Sequence, residues 1–210
     1  MTDTPPSPDV VETLAARFPG IETSTFRGQE RIVVPAAESH AFLAALREAG
    51  FDHLVDVTCV DYLEYRGAKR RYGLVWLLTA TATGRRVTVR AFLDDPDPSV
   101  RSVVDLWRSA EWLEREVWDM FGIRFEGHPD LRRILMWDGY PHHPLRKEFP
   151  LAGVETQLPD LEVAAETGAK VLPAPMAGGP FVASSGEMNL TEAEPRAKDE
   201  SWNESNVKPE

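Results

Sequence analysis

Residues Tyr72–Leu93 read YGLVWLLTATATGRRVTVRAFL, and this stretch decides the fold. Tyr72–Thr81 is a strand-like apolar run. After the Thr83-Gly84 turn signal, Val87, Val89, Ala91 and Leu93 recur with the two-residue period of a half-buried strand. Two such runs separated by a turn predict an antiparallel pair. Toward the N-terminus, His53–Tyr65 carries Val55, Val57 and Cys59 at the same period, and Gly67 marks the turn between it and Tyr72. Thr23–Arg27 and Arg31–Pro35 flank Gly28 as two shorter strands. Helices are expected at Pro8–Phe18, stopped by Pro19-Gly20, and at Ser39–Ala49, where Gly50 supplies a left-handed cap. Helices set apart from such a sheet give an α+β fold in two layers, helices on a mostly antiparallel mixed sheet.

Toward the C-terminus, Asp94-Asp95-Pro96-Asp97-Pro98 is a loop, and Ser99 is expected to cap a helix. From Val103 the apolar positions Leu106, Trp107, Ala110, Leu113, Val117, Met120 and Phe121 trace a helical face ending at Gly122. One continuous helix would set Glu114 in the middle of that face, a poor place for a lone carboxylate. A break at Ser109–Glu111 is therefore expected, in preference to a buried Glu114 with a cationic partner.

The chain has 210 residues and a net charge of −11, unevenly spread. Residues 151–210 hold 11 acidic and 4 basic side chains with 6 Pro and 5 Gly, too much punctuation for long elements. Residues 8–150 are thus expected to form the compact domain, after a flexible N-terminus at 1–7. Residues 151–210 are expected to be an extended acidic tail that wraps a partner, with isolated apolar anchors from Leu158 and Leu161 to Trp202. The acidic balance argues against nucleic acid. One cysteine, Cys59, cannot hold an iron–sulfur cluster or a Cys-based zinc site, and reads as a buried structural thiol. The first ten residues show no secretory pattern, and the longest uncharged apolar stretch, Tyr72–Gly84, is short of the about 20 residues needed to span a bilayer. A soluble cytoplasmic protein is expected.

Residues 114–150 crowd together carboxylates, guanidinium groups and three of the chain's five histidines. One reading is a free-standing metal-dependent hydrolase using His128, Asp130, His142 and His143. Adjacent histidines seldom converge on one ion, and backbone hydrogen bonding in a Pro-rich loop competes with it. Glu114 and Glu116, two positions apart on a helix, point about 200° away from each other and cannot flank one bond. Nucleotide-binding glycine loops and a nucleophile elbow are absent from the sequence. Trp112, Trp118, Trp137, Tyr140 and Phe149 interleaved with arginines have the composition of interface anchors. No catalytic residue, cofactor ligand or metal ligand is assigned.

Glu114–Leu135, EREVWDMFGIRFEGHPDLRRIL, followed by His143-Pro144-Leu145-Arg146-Lys147 and Phe149-Pro150-Leu151, resembles the signature of the C subunit of the proton-pumping NADH:quinone oxidoreductase, respiratory complex I. Pro141, His142 and Glu148 depart from that pattern, where an acidic residue, a glycine and an aspartate are common. The resemblance implies a peripheral-arm component on the cytoplasmic side of a bacterial membrane. It implies no flavin or cluster on this chain, with FMN and iron–sulfur clusters in partner subunits, and packing against the D, B and I subunits. The residues it marks for interface or signature roles are Glu114, Arg115, Glu116, Trp118, Asp119, His128, Asp130, Arg132, Arg133, His143, Arg146 and Lys147. Glu114, Arg115, Glu116 and Asp119 are expected to bond with Arg132, Arg133 or partner groups.

Overall fold

The computed structural model describes residues 10–63, 65–150 and 153–173, in two units divided between Phe149 and Pro150. In the first, helix α1 (Val10–Ala15) leads into strands β1 (Glu22–Phe26) and β2 (Gln29–Val33). Arg27 and Gly28 both take positive φ, at 51° and 77°, which is the geometry of a tight two-residue hairpin turn. Helix α2 (Ser39–Glu48) buries Phe42, Leu43 and Leu46, and Gly50 follows it with φ 101°. Strands β3 (His53–Asp61), β4 (Tyr72–Ala80) and β5 (Arg85–Leu93) come next.

These five strands form one sheet in the order β1-β2-β5-β4-β3. Every neighbouring pair is antiparallel except β2 with β5, so the sheet is mixed and mostly antiparallel. Leu54, Val57, Cys59, Leu74, Trp76, Leu78, Val87, Val89 and Ala91 share one face and pack with Phe42, Leu43 and Leu46 of α2 in the core. At about 25 cal/mol per Å² of apolar surface this burial is the main stabilising term. Val55, expected on the buried face, is 49% exposed, because the β3–β4 register shifts between Leu54 and Asp56 and the bulge turns its side chain outward.

Ser99 caps no helix. It opens strand β6 (Ser99–Arg101), which pairs in parallel with β7 (Arg124–Glu126) and buries Val100 and Phe125. Between them lies helix α3 (Ala110–Phe121), with Ala110, Val117, Met120 and Phe121 inward and Gly122 as its left-handed cap at φ 76°. The break expected near Ser109 is present. Residues 103–107 form turns instead of a helix, since Leu106 and Trp107 both donate N–H groups to the Val103 carbonyl and the Val103 N–H goes to a carboxylate of α3.

In the second unit, strands β8 (Thr156–Gln157) and β9 (Lys170–Val171) pair antiparallel around helix α4 (Leu161–Thr167). These elements are short, within the stretch whose Pro and Gly content argued against long ones. Asp160 accepts the N–H groups of Glu162 and Val163, and Gly168 closes the other end at φ 65°, enough to set a seven-residue helix. The expected flexible N-terminus at 1–7 and the apolar anchors from Met176 to Trp202 lie outside the described residues.

Candidate functional site: the clamp on helix α3

An α-helix ends with four backbone carbonyls that have no intrahelical partner, and with the negative end of its dipole. In α3 those carbonyls belong to Trp118, Asp119, Met120 and Phe121. Gly122 N–H donates to Trp118 O at 2.8 Å and Leu145 N–H to Met120 O at 3.0 Å. His143 Nδ1 lies 2.9 Å from Asp119 O, which Arg133 Nη1 also approaches at 3.2 Å. Arg146 Nε donates to Phe121 O at 2.6 Å. The segment from Arg133 to Arg146 thus closes the helix end and sets two guanidinium cations against its dipole. Gly122 is required for this closeness: a Cβ there would lie 2.6 Å from Arg146 Nη2 and 2.7 Å from the His143 ring.

Asp119 holds the segment from within. Its Oδ2 accepts the N–H groups of Ile134, Leu135 and Met136 at 3.0, 2.8 and 2.9 Å, and its Oδ1 meets Arg133. The side chain is fully buried. Burial pushes the Asp119 carboxyl up, but the N–H groups of Met136, Ile134 and Leu135 and the Arg133 guanidinium outweigh it and hold the group below its ordinary value. Arg133 also donates to Tyr140 O and lies 5.5 Å from the Trp118 ring centroid. Burial lowers the His143 pKa, helped by the charges of Arg146 and Arg133 and opposed by the bond to Asp119 O. The neutral imidazole therefore carries its proton on Nδ1, the nitrogen that faces a carbonyl.

A second anchor lies at the end of the sheet. Asp61 accepts Lys147 N–H at 2.9 Å, Leu63 N–H at 3.0 Å and Arg71 Nη2 at 3.1 Å. Arg71 also reaches Asp95 at 2.6 Å and pairs with Glu148, and it stacks 4.7 Å from the Tyr72 ring centroid. The Asp61 side chain has no exposed surface. Burial raises its pKa, and Arg71 together with the Lys147 and Leu63 N–H groups brings it below the usual range. Glu148, where an aspartate is common in the resembled pattern, is long enough to reach Arg71.

Of the four residues expected to bond Arg132, Arg133 or partner groups, Asp119 meets Arg133, while Glu114 and Arg115 bond other groups of the chain. Glu114 is fully buried and has no cation among the described residues: Ser102 O–H donates to Oε2 at 2.6 Å and Val103 N–H to Oε1 at 2.8 Å. Burial raises its pKa to about 7 against the pull of those two donors. Arg115 bonds no carboxylate among the described residues, donating instead to Arg132 O at 3.1 Å and Arg133 O at 3.0 Å, 5.0 Å from the Trp112 ring centroid. Arg132 pairs with Asp130 at 2.8 Å, on the surface. Glu116 is exposed and has no bonded partner among the described residues. The spacing of two that separates Glu114 from Glu116 on the helix has sent one inward and the other to solvent.

The hydrolase reading fails on geometry. Among the described residues no three His, Cys, Asp or Glu side chains converge on a point where a metal ion would sit. His128 spends Nε2 on Glu111 O at 3.0 Å and Nδ1 on Asp130 N–H at 3.0 Å. The His142 ring sits between those of Tyr140 and Phe149. Cys59 is buried, and its thiol is pushed up to about 12 by that burial and by Asp61.

Asp61, Arg71, Asp95, Glu148 and Ser102 were not singled out as site residues from the sequence. A signal for Asp61 existed: it continues the buried period of Val57 and Cys59, and an acid on a core-facing position requires a partner.

The model of the family "Respiratory-chain NADH dehydrogenase, 30 Kd subunit" matches residues 32–155, which include the whole clamp. The chain is 43% identical over 139 residues to the C subunit of the NADH-quinone oxidoreductase of Laribacter hongkongensis, covering 63% of this chain and 71% of that one. It is 43% identical over 146 residues to the corresponding C subunit of Trichlorobacter lovleyi, covering 68% and 89%. It is 44% identical over 129 residues to the C/D 2 subunit of the NADH-quinone oxidoreductase of Aquifex aeolicus, covering 59% of this chain but 21% of that longer one. Among solved structures, the trypsin-resistant fragment (1-134) of Nqo5 matches at 36% identity and a TM-score of 0.54, covering 58% of this chain and 96% of the fragment. A chain of an archaeal membrane-bound sulfane sulfur reductase shares the fold, with a TM-score of 0.63 over 86% of this chain and 98% of that one at 21% identity. With the family pattern spanning more than half of its residues, clamp included, this chain belongs to the respiratory-chain NADH dehydrogenase 30 Kd subunit family.

Proposed function

We propose that this chain is a non-catalytic scaffold of the peripheral arm of an NADH:quinone oxidoreductase. That enzyme moves electrons from NADH through FMN and iron–sulfur clusters in partner subunits to quinone, coupled to proton translocation. The observation that carries the reading is how the clamp uses its polar groups. Asp119, Arg133, His143 Nδ1, Arg146 Nε and Asp61 are spent on backbone partners, on each other or on Arg71. Electron transfer needs fixed separations between centres, so a rigid support contributes without reacting.

The outward half of the signature supports docking. Trp112 is 58% and Leu135 60% exposed, and Glu116, Asp130, Arg132 and Lys147 also face solvent. Exposed tryptophan beside arginine is typical of an interface anchor. The D, B and I subunits are the proposed neighbours, on the cytoplasmic side of the membrane. No helix among the described residues is long and apolar enough to cross one. Residues 151–210 are proposed to wrap a partner, which fits the exposure of Leu161, Val163 and Leu172.

The test is affinity purification of the tagged full chain from detergent-solubilised membranes. Co-purifying subunits and NADH oxidation are expected with the wild type, and both are expected to fall several-fold with Trp112→Ala while the free chain keeps its melting temperature. A lone purified chain that turns over a substrate, or that carries stoichiometric metal or flavin, would overturn the reading.

A further inference from the structure

The turns at residues 102–107, which join β6 to α3, are held from two sides. From inside, the Glu114 carboxyl takes the Ser102 hydroxyl on Oε2 and the Val103 N–H on Oε1. From outside, both carboxylate oxygens of Asp105 lie 3.0 Å from His40 Nε2 on α2. Arg101 approaches Asp105 at 3.8 Å, and Arg47 donates to its carbonyl at 3.4 Å. Between these two holds Val103 and Trp107 enter the core, and the Trp107 indole N–H donates to Asp52 O at 3.1 Å.

Each hold depends on a proton. The contact of His40 with Asp105 is an ion pair only while His40 is protonated. Glu114 is fully buried, and among the described residues the charges on the packed elements are engaged elsewhere. On α3 itself, Arg115 turns to the Arg132 and Arg133 carbonyls, and Asp119 is taken by Arg133. On β7, Arg124 and Glu126 lie at the surface, with Asp97 beside Arg124. Arg101 of β6 and His40 and Arg47 of α2 face Asp105. Strand β3 gives the core Leu54, Val57 and Cys59, while its His53 is exposed, its Asp56 half-buried and its Asp61 held by Arg71. Glu38, in the short turn Ala36–Glu38 beside β6, is half-buried. The charge that bears on Glu114 is Asp105, which has the same sign. Burial and Asp105 favour the protonated carboxyl, and the Ser102 and Val103 donors favour the ionised one.

We propose that the 102–107 turn is a proton-controlled latch, closed while His40 and Glu114 carry their protons and opening locally, as one unit, when both are lost. The two signs agree. Glu114 is harder to ionise in the closed turn than in water, so rising pH favours the open turn from about 4.3 until the folded carboxyl ionises near 7. Deprotonation of His40 cancels the outer ion pair and acts in the same direction. The turn runs straight into α3, where Ala110 N–H donates to Trp107 O and Glu111 N–H to Arg108 O. Opening therefore loosens the first helical turn, which carries the exposed Trp112. The inference concerns the chain's own conformation and stands whether or not Trp112 anchors a partner.

The experiment is native-state amide exchange on the full chain by NMR, in low urea, at about pH 5.5 and about pH 8, corrected for intrinsic rates. A local opening is insensitive to low urea, whereas global unfolding is not. At the higher pH, Val103, Leu106 and Trp107 are expected to exchange through a urea-insensitive opening, at least about tenfold more populated than at the lower pH. His40→Gln combined with Glu114→Gln is expected to make the opening equal at both. Exchange of these amides through global unfolding alone, an opening unchanged by pH, or a dependence that survives in the double variant would overturn the latch. If Glu114→Gln does not fold, the Glu114 carboxyl carbon of the ¹³C-labelled wild type decides. It is expected to titrate over that range, and a resonance fixed in one state throughout would overturn the proposal.

Discussion

The Arg133 guanidinium lies against the buried Asp119 carboxylate, 14 positions back along the chain, and the same carboxylate gathers the three N–H groups that follow Arg133. The side chains are 9% and 0% exposed. Breaking a buried pair by removing one partner costs about 3–5 kcal/mol. Asp119→Asn is therefore expected to lower the unfolding free energy by about that amount in urea titrations, and to open the 133–146 segment to trypsin. A loss below about 0.5 kcal/mol would mean that the pair is not buried in solution.

Acid should loosen the same anchors. The folded-state pKa values of Asp119 and Asp61 are both depressed, so the stability they add is present above their unfolded value of about 3.9 and is lost as pH falls below it. Amide exchange at Ile134, Leu135, Met136 and Lys147 is expected to accelerate over that range before the core of β4 and β5 opens. Simultaneous loss of protection throughout would contradict the order.

Glu114 works in the opposite direction. Its folded pKa is raised to about 7, so the folded state holds a proton that the unfolded chain releases above about 4.3. Stability should fall between those values by up to about 1.4 kcal/mol per pH unit. Glu114→Gln, which keeps an acceptor for Val103 N–H, is expected to flatten that slope. Glu114→Leu strands the Ser102 hydroxyl and the Val103 N–H and should cost about 1–3 kcal/mol. Equal pH slopes for wild type and the Gln variant, measured by chemical denaturation from pH 5 to 8, would remove the buried proton from the account.

Gly122→Ala tests the clamp itself. A side chain at φ 76° is strained, and its Cβ would strike Arg146 and His143. The expected cost is about 1–3 kcal/mol, together with displaced His143 imidazole resonances by NMR. Gly84→Ala, at φ 69° with open space around its Cβ, carries the backbone strain alone and should leave those resonances in place.

Arg71→Ala leaves Asp61 buried without its cation and frees Glu148 and Asp95. A loss of about 3 kcal/mol is expected, toward the low end for a buried pair because two of the three carboxylates are partly solvated. Asp95→Asn, which removes an exposed member, should cost about 0–1 kcal/mol. Thermal unfolding of the two variants side by side separates the buried pair from the exposed one.

Much of the fold was legible because strand period and turn chemistry are local. The alternation Val87, Val89, Ala91, Leu93 and the glycines at 28, 50, 84 and 122 locate their strands and helix ends without reference to any partner. Ser99 misled for the same reason: a serine after a Pro-rich loop looks like a cap, and the pairing of β6 with β7 depends on residues more than twenty positions away. Val55 misled because a bulge is a property of two strands together.

The candidate site divides along the same line. The sequence by itself determined which residues are unusual, the acids, arginines and histidines of 114–148, and it determined the family through their order. The tertiary structure alone decided which of them face inward, because a charge goes to the interior where backbone or opposite charge awaits it. Glu114 and Glu116 carry the same carboxylate on opposite sides of one turn of one helix. Ser102 and Val103, brought close by the chain reversal before α3, make the first an interior residue and leave the second to solvent.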